Sequence, residues 1–190
     1  MNKRVFLTAC TSLAAVSLFS SCTTSSPSTA DPVARRKAID AEVDRALSQL
    51  YGQVRGSREL VASARGTLVF PNVVSAGFIV GGTHGDGALR RAGASQRYYS
   101  MTAVSAGLLA GAQSRAVFYL FMNEEALKKF EGSSVWTAGA DASVALLKVG
   151  ANAQIDTETA KQPVIGFALT NAGLMANLSL DGTRIAPLNL

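Results

Sequence analysis

Histidine and cysteine are nearly absent from this chain. Of 190 residues one is His and two are Cys. With His84 alone there is no His–His metal pair. Of the two thiols, Cys10 lies inside an N-terminal leader, so the processed chain keeps only Cys22 and has neither an internal disulfide nor a thiol cluster. Aromatic residues make up 7% of the chain, while glycine and alanine are plentiful. This predicts a core built more by close backbone packing than by large side chains. No Gly-x-Ser-x-Gly elbow occurs, and the glycine-rich stretch Gly81–Gly87 is not followed by Lys-Ser/Thr, which excludes a nucleotide P-loop. The one long apolar run, residues 5–19, is interrupted by Thr and Ser and is too short for a stable membrane span.

That run is instead the apolar part of a signal peptide. Lys3 and Arg4 precede it, and the small residues Ser20 and Ser21 follow it, directly before Cys22. Small residues before a cysteine look like a bacterial lipobox, although Phe19 stands where an aliphatic residue is usual. Cleavage before Cys22 and acylation of its thiol are therefore expected, in preference to an ordinary cut near Ser21. Thr23 follows Cys22 where an acidic residue would signal inner-membrane retention, so the default location is the outer membrane, facing the periplasm. The expected organisation is residues 1–21 signal peptide, 22–31 lipidated tether, and 32–190 one folded domain. The Ser/Thr/Pro composition of TTSSPSTA suits a tether.

The formal net charge is +5, and it is unevenly placed. Residues 32–97 hold ten Lys/Arg against five Asp/Glu, and the remainder to residue 190 holds six against seven. A basic half beside a lipid anchor points to anionic membrane lipid as a partner. Nucleic acid is not expected, because the basic residues are not interleaved with aromatics and the chain is exported.

Asp31-Pro32 reads as a helix start, with Asp as cap and Pro at the first helical position. Ile39, Val43, Ala46, Leu47 and Leu50 form one apolar stripe, and Gly52 ends the helix. Packing of that stripe on the domain is favoured over lipid contact. A second helix is expected from Ser57 to Arg65, and Pro71-Asn72 reads as a turn. Beyond it the pattern turns to strands: 73–80, 98–104, 117–121, 135–139, 143–149 and 164–169. Val117–Phe121 is apolar on both faces, which marks a central strand covered on each side. Asn123 caps a short helix with Glu124 and Glu125 at its positive end, Lys128 and Lys129 in its last turn, and Gly132 as a left-handed stop. Alternating Leu174–Leu180 followed by Asp181-Gly182 predicts a closing hairpin. Recurrent Ala-Gly pairs imply strongly curved strands.

Few residues carry chemistry. Gly81, Gly82, Gly85 and Gly87 can turn backbone N–H groups toward a phosphate, with Arg90, Arg91 and Arg97 close behind. A plain hairpin connection is the favoured alternative. Arg35, Arg36 and Lys37 on the first helix complete the candidate anionic-lipid surface. His84 with Asp86 is a poor basis for a hydrolase, since only two residues separate them. No catalytic residue, metal ligand or cofactor is assigned.

The segments GLLAGAQSRAVFYLFMNEEALKKF, WTAGADASVALLKVG and GLMANLSLDGTRI, in this order, resemble the SYLF domain family, and GFIVGGTHGDGALR resembles its first sheet element. The resemblance runs from about Ala34 to Leu190. It implies a non-enzymatic domain binding anionic or phosphorylated lipids, with actin binding in fungal members. A bacterial envelope protein meets no actin, which argues against that partner. Another envelope protein is the alternative. Arg115 stands where the resemblance leads us to expect an acidic residue. The expected fold is α+β: two N-terminal helices on a curved antiparallel sheet or partly closed barrel, with one short helix inserted between strands.

Overall fold

The computed structural model describes residues 31–77, 80–106, 111–147, 159–171, 173–175 and 179–190. Cys22 and residues 78–79 and 107–110 lie outside them. Asp31–Leu190 forms one compact unit.

Helix α1 (Pro32–Gln53) starts as the sequence predicts: the Asp31 carboxylate accepts from Val33 N–H at 3.1 Å, and Pro32 opens the first turn. Its stripe is buried at Ile39, Val43, Ala46 and Leu50, so it packs on the domain. Helix α2 (Ser57–Ser63) is shorter than expected, with Gly56 rather than Ser57 at its cap position. Buried Ser57 instead donates to the Val54 carbonyl at 2.6 Å.

The strands are β1 (Gly66–Gly77), β2 (Val80–Arg91), β3 (Ala94–Ala106), β4 (Gly111–Phe121), β5 (Trp136–Thr137), β6 (Ala145–Leu146), β7 (Val164–Thr170), β8 (Gly173–Leu174) and β9 (Arg184–Pro187). They join in one sheet, in the order β5-β9-β3-β2-β1-β4-β7-β6 with β8 beside β7, curled into a half-barrel. All pairings are antiparallel except β6 with β7, so the sheet is mixed.

Strand β4 lies inside the sheet, between β1 and β7, and from Ala116 to Phe121 it is buried on both sides, as the apolar run Val117–Phe121 predicts. Val117, Tyr119 and Phe121 face one core with Leu127 and Phe130 of helix α3 (Glu124–Glu131). Phe118 and Leu120 face the other, under α1 and α2. Each such side chain stabilises by roughly 1.5–3 kcal/mol through its burial. The few aromatics are concentrated rather than dispersed. Trp136 meets Tyr119, Phe121 and Phe130 edge-on, and Phe118 stacks on Phe167 at 4.9 Å. Large side chains therefore contribute more to the core than the composition implied.

Three local readings are corrected. Pro71-Asn72 is not a turn: β1 runs straight through it, with a register shift between Phe70 and Val73. Proline has no N–H for a ladder, and a bulge accommodates it. Gly132 keeps right-handed φ −79°. The Asp181-Gly182 turn does form, with Gly182 at φ +76° and Thr183 N–H on the Leu180 carbonyl. But the returning strand β9 pairs with β3 and β5, not with the segment before the turn. Residues 176–178 of the expected hairpin lie outside the described ones.

Candidate functional site

The stretch read as a glycine loop is the middle of β2. From Gly81 to Gly87 it pairs with β3 on one side, and through much of that length with β1 on the other. The expected phosphate-cradling loop is therefore a strand, paired on both sides from Gly81 to His84 and on the β3 side from Gly85 to Gly87. Gly85 and Gly87 have a different cause: they face the β1 bulge at contact distance. The true turn after β2 is Ala92-Gly93, with φ +49° and +83°.

Past the glycines, β2 ends at Arg90 and Arg91, beside α1, α2 and the start of α3. A cavity of about 640 Å³ opens here, lined by Tyr51, Arg58, Arg65, Thr67, Arg90, Arg91 and Glu124 among others. Arg90 is largely committed to the fold. Its side chain is 13% exposed, its Nη1 lies 2.9 Å from Asp44 Oδ1, and its Nη2 donates to the Asp40 carbonyl at 3.2 Å. Arg91 donates to both Glu124 oxygens at 3.1 and 3.2 Å and lies 3.8 Å from Glu131. Arg58 and Arg65 have no carboxylate within 4 Å among the described residues. Arg58 lies over the Tyr51 ring at 4.4 Å. Burial raises the Tyr51 pKa, and Arg58 and Arg90 oppose that rise. Arg58 and Arg65 are the cavity's unneutralised cations. Sequence reading missed them: Arg58 lies on α2 and Arg65 beyond its end, so no helical spacing links the two.

The other expected basic residues do not join this cavity. Arg35 donates to Asp86 Oδ2 at 2.7 Å beside a smaller recess of about 330 Å³ that also takes in His84. Arg36 and Lys37 are exposed on α1. Arg97 donates to the Glu131 carbonyl at 3.4 Å. His84 is exposed, 3.6 Å from Asp86, a contact that supplies no nucleophile. Among the described residues no group of three His, Cys, Asp or Glu is placed to hold a metal, and no helix is long and apolar enough to cross a membrane.

Asp40 holds the cavity's frame. It accepts from Ser95 Oγ at 2.6 Å and from Tyr98 Oη at 2.9 Å, pinning α1 to the β2–β3 hairpin. Residues 102–189 match the family model Ysc84, described as Las17-binding protein actin regulator. Over that span the chain is similar to the Ysc84, or SYLF, family. No curated protein matches it. The SYLF match begins inside β3 and runs into the C-terminal segment, so it contains three of the four resembling segments and leaves out GFIVGGTHGDGALR. Of the cavity residues, only Glu124 lies within the SYLF span; the arginines all precede it.

Proposed function

We propose that this is a non-enzymatic, lipid-anchored envelope protein whose domain binds anionic lipid head groups. Cys22 carries the acyl anchor after removal of residues 1–21, residues 22–31 tether the domain, and the outer membrane facing the periplasm is its location. The observation that carries the reading is the cavity lined by Arg58 and Arg65, neither of which has a carboxylate within 4 Å among the described residues. Guanidinium groups there fit phosphate oxygens in two-point contacts. The basic excess of residues 32–97 adds long-range attraction to an anionic surface. Arg36 and Lys37 extend it, while Arg35, Arg90 and Arg91 serve mainly to hold elements together.

Vesicle co-sedimentation of Asp31–Leu190, which holds both cores, tests this. Salt-sensitive binding to anionic but not neutral vesicles is expected. Absence of such binding sinks the proposal. A second reading, a protein-interaction module of the envelope, is favoured by the family's description as a protein-binding regulator. Specific capture of an envelope protein without vesicle binding would select it.

A further inference from the structure

A second cationic position lies on the opposite face of the sheet. Arg115 projects from β4 on the same side as Val117 and Tyr119, the face that holds Trp136 and α3. At its level β4 has lost one neighbour, because pairing with β7 ends at Ala116–Leu169. Across β1 and β2 the same face carries two buried hydroxyls. Ser75 and Thr83 share a hydrogen bond at 2.9 Å, and Arg115 Nη1 donates to Ser75 Oγ at 3.0 Å. This is Arg115's one hydrogen bond among the described residues, and its Nε is buried without a partner. Arg35, Arg90 and Arg91 each lie within 4 Å of a carboxylate, whereas none among the described residues approaches Arg115 so closely. Burial lowers the Arg115 pKa, the direction given by a charge that lacks compensation. A half-buried guanidinium held by a neutral hydroxyl, with its Nε–Nη2 edge unused, offers the two-point geometry that matches a carboxylate or phosphate.

We infer that Arg115, positioned by Ser75 and Thr83, is a second oxyanion site that takes one carboxylate or phosphate group. Ser75 fixes Nη1, and Nη2 with Nε–H, after a small side-chain rotation, forms the fork. The site stands apart from the Arg58–Arg65 cavity and does not depend on it.

The Arg115 Nε–H resonance of ¹⁵N-labelled Asp31–Leu190 reads the site directly. Titration with inorganic phosphate, with acetate and with phosphatidate vesicles is compared with chloride at equal ionic strength. A saturable shift with the small anions assigns a soluble ligand, and one with vesicles alone assigns a lipid head group; either supports the site. Arg115→Gln removes the resonance, so its binding is read from backbone amides of β1 and β4, with at least tenfold weakening expected. Ser75→Ala keeps the charge and serves if R115Q does not fold; at least threefold weakening is expected. Arg58→Glu with Arg65→Glu leaves the response to phosphate and acetate intact while vesicle binding falls, which separates this site from the lipid reading. No shift with any oxyanion, an equal shift with chloride, or unchanged affinity in S75A overturns the inference.

Discussion

A Cβ placed on Gly87 would lie 2.1 Å from the backbone oxygen of Val69. Two adjacent strands approach so closely there because β1 bulges at Pro71-Asn72, and only glycine leaves room. Since the clash is with backbone, Gly87→Ala must move a strand. A loss of about 1–3 kcal/mol is expected, the range for overpacked cores. Gly82 in the same strand has nothing within 4 Å of such an atom. Gly82→Ala should change stability by less than about 0.5 kcal/mol. Urea unfolding of both variants checks the contrast; equal losses would show that the bulge is not the cause.

Ala92 occupies a left-handed position, φ +49°, in the β2–β3 turn. That conformation costs a residue with a Cβ roughly 1–2 kcal/mol. Asn before Gly is the preferred pair in such a two-residue turn. Ala92→Asn is expected to raise stability by about 0.5–1 kcal/mol, seen as a higher urea midpoint at unchanged slope.

Alkaline pH should destabilise the domain through its tyrosines. Tyr51, Tyr98, Tyr99 and Tyr119 all have pKa values raised above the ordinary 10.0, burial being the largest cause for each. The unfolded chain therefore releases phenolic protons that the folded chain keeps. Above pH 10 the unfolded state binds fewer protons, and stability falls as pH rises. From these groups, a plateau below pH 10 and a decline above it are expected in chemical denaturation. Asp40→Ala removes an acceptor that also raises Tyr98. In that variant the Tyr98 absorbance titration moves toward lower pH.

Reversing Arg58 and Arg65 together to Glu should weaken binding to anionic vesicles about tenfold or more, given about 1 kcal/mol per basic residue near a charged surface. Arg35→Glu should do less, because Asp86 already neutralises that guanidinium. So should reversal of exposed Lys128 and Lys129 on α3. Co-sedimentation at low salt ranks the variants, and equal losses among them would remove the cavity from the mechanism.

Signals acting over a few residues were legible in the sequence. Asp31-Pro32 starts α1, Asn123 caps α3 with its carboxamide 2.8 Å from Ala126 N, and the stripe of α1 is buried. The double-faced run Val117–Phe121 marks the central strand, because composition alone says that both faces leave water. Asp181-Gly182 turns because Gly182 tolerates positive φ. Tertiary structure decided everything that depends on a distant partner. The same glycines that suit a loop also suit a strand pressed against a bulge, and only the pairing of β2 with β1 separates the two. β9 leaves the preceding segment for β3 because a turn fixes chain reversal but not the neighbouring strand. Arginine reads as a free cation in any sequence. Only the fold gave Asp86 to Arg35, Asp40 and Asp44 to Arg90, and Glu124 to Arg91, and left Arg58, Arg65 and Arg115 without such partners among the described residues.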